Sequence, residues 1–79
     1  MYALCLITVN PGKVDKETGI LSKKRKALKE IMTVTGRADI SVIFNGSLNE
    51  INNGVNDLKK IKDVVSTETL IEVEVDLGW

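Results

Sequence analysis

The residues best placed for chemistry cluster after a glycine, in Thr35-Gly36-Arg37-Ala38-Asp39. A guanidinium and a carboxylate fixed in one short loop suit a zwitterion. Arg37 and a backbone N–H would meet the ligand carboxylate, and Asp39 would meet its ammonium. The bland alternative is a local ion pair between Arg37 and Asp39 at a hairpin tip, worth little if exposed. Ser66, Thr67 and Thr69 offer hydroxyls that can donate to or accept from the same ligand, although β-propensity alone also accounts for them. Other groups read more simply. Lys23-Lys24-Arg25-Lys26 is a solvated helix end, because the rest of the chain balances its charge. Glu68, Glu72, Glu74 and Asp76 form an acidic row that solubilises or protects a sheet edge, and no histidine exists to help it hold a metal. Cys5, among leucines and isoleucines, is a small core residue. With no histidine and no nucleophile–base pair, neither an enzyme site nor a metal or cofactor is expected.

The loop must be positioned by a small scaffold. The chain has 79 residues, the length of one domain. A chain this short buries only about 60–65% of its unfolded surface, so assembly with other copies is a natural supplement to its core. Hydrophobic residues make up 43% of it, too many for a disordered chain. Eleven basic residues balance eleven acidic ones, which leaves no net field to attract nucleic acid. One cysteine excludes an internal disulfide framework and fits a reducing compartment. No apolar run approaches the roughly 20 residues of a membrane span, and the first residues lack the basic region and cleavage site of a signal peptide. These features indicate a cytoplasmic protein without membrane or direct nucleic-acid contact.

Tyr2 to Val9 is apolar on both faces, as expected of an interior strand. Asn10-Pro11-Gly12 stops it. Val14 to about Lys24 carries a thin apolar stripe and reads as a helix, with a soft boundary near residue 26 and a strand from Ile31 to Thr35. Helix propensity would extend the helix through Met32, but a strand must form before Gly36. Ile40 to Phe44 is a second interior strand. Ser47-Leu48-Asn49-Glu50 has the form of a capping box. Leu48, Ile51, Val55, Leu58 and Ile61 follow at helical spacing, despite Gly54. Val64 to Leu77 alternates, with Thr67, Thr69 and Ile71 on one face and Ser66, Glu68 and Leu70 on the other, and belongs at a sheet edge.

The order is strand, helix, strand, strand, helix, strand. With right-handed crossovers this gives an α+β fold, a ferredoxin-like βαββαβ sandwich of the dimeric α/β barrel type. Its antiparallel four-stranded sheet carries two helices on one face. The first and third strands are central, yet apolar on both faces, and no residues are left to cover the second face. A homodimer that packs sheet against sheet is therefore expected. An RNA-recognition module shares this element order but stacks bases on aromatics of the central strands. Only Tyr2 and Phe44 are available there, with Trp79 at the far C-terminus.

Three segments together resemble the effector-binding domain of Lrp/AsnC regulators. Ile7-Thr8-Val9-Asn10-Pro11-Gly12-Lys13-Val14-Asp15 is similar to its opening. Thr35-Gly36-Arg37-Ala38-Asp39-Ile40 is similar to its Thr-Gly-X-aromatic-Asp loop, and Ile61 to Leu70 to its closing strand. The resemblance spans almost the whole chain. The family's DNA-binding helix-turn-helix would lie before Met1, so the resemblance implies a stand-alone regulation-of-amino-acid-metabolism (RAM) domain. It also implies dimers through the sheets, octameric rings, an amino-acid effector bound between dimers, and co-assembly with full-length Lrp/AsnC regulators. Ala38 stands where the family commonly has tyrosine or phenylalanine, so one wall of the usual pocket is expected to be missing.

Overall fold

The computed structural model describes residues 1–21 and 28–73. Its elements are β1 (Tyr2–Val9), α1 (Val14–Leu21), β2 (Leu28–Thr33), β3 (Ile40–Asn45), α2 (Leu48–Lys59) and β4 (Val64–Ile71). All neighbouring strands are antiparallel and the sheet order is β2-β3-β1-β4, the ferredoxin-like topology expected from the sequence. The basic run at residues 23–26 and the far end of the last strand, including Glu74 and Asp76, lie outside the described residues.

Alternation along β1 and β3 builds the core. Ala3, Cys5, Ile7 and Val9 from β1 meet Ile40, Val42 and Phe44 from β3 on the helix-covered face. Leu21 from α1 and Ile51, Val55 and Leu58 from α2 close over them. Burying each large aliphatic or aromatic side chain contributes about 1.5–3 kcal/mol.

The helix α2 begins as its sequence indicates. The Ser47 hydroxyl accepts from the Glu50 N–H at 3.1 Å, and the Glu50 carboxylate accepts from the Ser47 N–H at 2.9 Å. These bonds satisfy two donors that a helix start leaves unpaired, and they hold the Glu50 carboxyl below its usual range. Leu48, the first residue of the helix, departs from the apolar stripe and is 48% exposed, unlike Ile51, Val55 and Leu58.

Gly54 has a packing reason. A Cβ there would lie 2.6 Å from Cε1 of Phe44, so the absent side chain lets α2 lie close against β3.

Two strand boundaries differ from expectation. β2 starts at Leu28, three residues before Ile31, and ends at Thr33. Leu28, Lys29 and Glu30 favour helices in isolation, but ladder bonding to β3 and the packing of Leu28 against the core override that preference. Val34 and Thr35 belong to the following loop. The last strand is regular only to Ile71, although the Glu72 N–H still donates to the Tyr2 carbonyl at 2.9 Å.

Candidate functional site

The β2–β3 connection is a constrained loop. Gly36 adopts φ +119°, a region that side-chain-bearing residues rarely enter. The Val34 N–H donates to the Asp39 carbonyl at 2.9 Å and closes the loop. The Asp39 N–H donates to the Ile7 carbonyl at 2.9 Å, and its Oδ2 accepts from the Val9 N–H at 3.0 Å. Asp39 thus continues the β1–β3 ladder with its backbone and caps the end of β1 with its side chain. The β1–β3 pairing ends at Ile7 and Ile40, so the Val9 N–H lies beyond the regular ladder and takes the Asp39 carboxylate as its acceptor. Ala38 is buried.

Arg37 does not pair with Asp39, as the bland sequence reading supposed. Its guanidinium donates to Oε2 of Glu68 at 2.8 Å, reaching past β1 to the edge strand β4. Both side chains are well exposed, at 80% and 47%, so the pair adds little stability. It still places one cation and one anion at the same end of the sheet.

The β4 hydroxyls do not converge. Cross-strand pairing places Thr67 beside Ile7 and Thr69 beside Cys5 on the helix-covered face. The Thr69 hydroxyl donates to the Cys5 Sγ at 3.7 Å. Burial pushes the Cys5 thiol up, as befits an inert core cysteine. Ser66, paired with Thr8, is the one hydroxyl of the three on the same sheet face as Glu68, the partner of Arg37. Glu68, read from the sequence only as part of an acidic row, is the partner of Arg37. Its alternation with Ser66 was readable, but the reach of Arg37 across β1 depends on the order of strands in the sheet.

That opposite face is open. Leu4 and Leu6 of β1, Ile43 of β3 and Leu70 of β4 lie on it, with Tyr2 48%, Met32 48% and Leu70 50% exposed. At the Tyr2 end it forms a groove of about 570 Å³ lined by Tyr2, Leu4, Ile43, Leu70 and Ile71 together with Lys29, Glu30 and Glu72. Glu72 is fixed there by accepting from the Tyr2 N–H at 3.1 Å. Among the described residues no cluster of three or more potential metal ligands occurs, and no helix is long and apolar enough to cross a membrane.

No protein-family model and no curated protein matches the sequence. Solved structures do match. TTHA0845 from Thermus thermophilus superposes with a TM-score of 0.84 at 21% identity, covering 95% of this chain and 95% of its own. The E. coli protein AsnC superposes at 0.76 with 19% identity, covering 99% of this chain and 54% of its own. The transcriptional regulator NMB0573 from Neisseria meningitidis, solved in complex with L-Met, superposes at 0.70 with 15% identity, covering 99% and 55%. The chain spans about half the length of these two regulators. Its fold is the one these structures share, AsnC among them.

Proposed function

We propose that this chain is an amino-acid-binding and assembly module of the RAM type. It dimerises through its open sheet face, acts in the cytoplasm and carries out no reaction of its own. The observation that carries the proposal is the open face itself, an apolar surface with an Arg37–Glu68 pair at one end. Sheets pack face to face at about 10 Å, and a second copy supplies the matching surface. The likeness to a regulator solved with L-Met supports an amino-acid effector. Arg37 and a backbone N–H of the Gly36 loop would meet the effector carboxylate, and Asp39 would meet its amino group. Ser66 adds a hydroxyl on the same face. Binding at an interface between dimers would shift the balance of assembly states, and with it the availability of the module to full-length Lrp/AsnC regulators.

A second reading has its own observation. Arg37 and Asp39 both have partners inside the chain, and Ala38 offers no aromatic wall. These features favour a module that assembles without a ligand.

A thermal melt of the protein against each of the twenty amino acids separates the two readings. A ligand at 100 times its Kd adds about 2.7 kcal/mol to the folded form, a rise of several degrees for a domain of this size. A rise with one amino acid, or with a few chemically related ones, supports the sensor. A flat result across all twenty rejects it in favour of ligand-free assembly.

A further inference from the structure

Two acidic residues outside the candidate loop are buried with unusual completeness. Glu17 of α1 is 1% exposed, and Asp63, in the turn before β4, is 6% exposed. Each buries one carboxyl oxygen, Glu17 Oε2 and Asp63 Oδ2, that receives no hydrogen bond from any neighbouring N–H or hydroxyl. Buried polar atoms without partners are rare and costly. Lys16, the neighbour of Glu17, reaches Asp63 Oδ2, and the Glu17 and Asp63 carboxyls are close enough for a side-chain hydrogen bond, which two ionised carboxylates cannot form. One proton between them satisfies both orphan oxygens at once.

We propose that Glu17 and Asp63 share a single proton in a buried carboxyl–carboxylate hydrogen bond that latches α1 to the turn before β4, and that loss of this proton opens the latch.

The surroundings assign the proton to Glu17. Asp63 Oδ1 accepts from Asn10 Nδ2 at 3.3 Å, and Lys16 Nζ lies 3.7 Å from Asp63 Oδ2. The Asn10 bond is the main cause that holds the Asp63 carboxyl below its usual range, with lesser help from Lys16 and Lys13. Burial pushes the Glu17 carboxyl up, and the neighbouring Asp63 charge pushes it further, against weaker opposition from Lys16 and Lys13. Asp63 therefore remains the anion and Glu17 the donor.

The latch touches the scaffold of the candidate loop. The Asp63 carbonyl also accepts from the Asn10 N–H at 2.9 Å. Asn10 directly follows Val9, whose N–H is held by Asp39. The end of β1 is thus pinned by Asp39 on one side and Asp63 on the other. Proton loss would leave two buried anions between α1 and this pinned end.

The pH dependence has a definite sign. Glu17 binds its proton more tightly in the folded state than in the unfolded chain, where 4.5 is its ordinary value. Below that value Glu17 is protonated in both states and carries no penalty. As pH rises from 4.5 through the raised folded value, stability falls, and above that value the loss is complete.

The test follows the Glu17 side-chain carboxyl carbon by NMR through a pH titration of the parent protein, beside thermal melts of the parent and Glu17→Gln. The glutamine amide can donate to Asp63 Oδ2 and does not titrate. Glu17 is expected to titrate above 4.5, and the parent Tm to fall through the same interval. The variant should lack that fall and be the more stable protein at the alkaline end. A Glu17 midpoint at or below 4.5, or a variant that keeps the parent's fall in Tm, overturns the proposal. The NMR titration decides alone if the variant does not fold.

Discussion

The Asp39 carboxylate holds the Val9 N–H at 3.0 Å, so deleting it has a structural consequence before any ligand is considered. Asp39→Ala leaves that donor without its acceptor and should cost about 1–3 kcal/mol, read as a lower Tm. Asp39→Asn keeps an oxygen acceptor and removes only the charge. It should melt close to the parent, yet lose any amino-acid-induced rise in Tm. An undiminished rise would remove Asp39 from the site. Arg37→Gln tests the other charge. Its pair with Glu68 is too exposed to matter for folding, so a stability change below about 1 kcal/mol is expected. At this scale the sequence displayed the residue types but not their partners. Arg37 and Asp39 are neighbours in the loop, and only the strand order shows that one reaches β4 while the other caps β1. Likewise, the alternation of β4 indicates that Ser66 faces away from Thr67 and Thr69, but not that Cys5 receives the Thr69 hydroxyl.

The second helix shows how an element's own preferences and its packing can oppose each other. Replacing an interior helical glycine by alanine usually gains about 1 kcal/mol. At Gly54 the added Cβ would meet the Phe44 ring at 2.6 Å, and that ring is 1% exposed with little room to yield. Overpacking of this kind costs about 1–3 kcal/mol, so Gly54→Ala should lower the Tm although it raises helix propensity. Ser47→Ala removes one half of the capping box and should cost about 1 kcal/mol, measured by chemical denaturation. The cap was readable because both of its residues lie within one turn of sequence. The start of β2 was not, since Leu28, Lys29 and Glu30 become a strand only through pairing with β3 and contact with the core, which no local window contains. Glu17 escaped notice for a related reason. Its spacing in α1 is unremarkable, and only the approach of the turn at Asp63 makes its burial visible.

For the whole molecule, topology was the most legible level. Strands apolar on both faces had to be central, and the alternating last strand had to lie at an edge. The order β2-β3-β1-β4 satisfies both conditions. The same pattern requires a cover for the face bearing Leu4, Leu6, Ile43 and Leu70. A charge placed there should separate copies without entering the core of a single chain. Leu70→Glu fits this purpose, because Leu70 is 50% exposed in one chain and sits directly opposite Leu4 on the open face. The most direct measurement is the solution mass of the parent by sedimentation equilibrium, with Leu70→Glu run beside it. The chain mass is 8.7 kDa. The parent should sediment as a dimer or a multiple of dimers, and the variant should shift toward the single-chain mass. A parent that stays at 8.7 kDa across the concentration range, with its open face bare, would contradict assembly through that face.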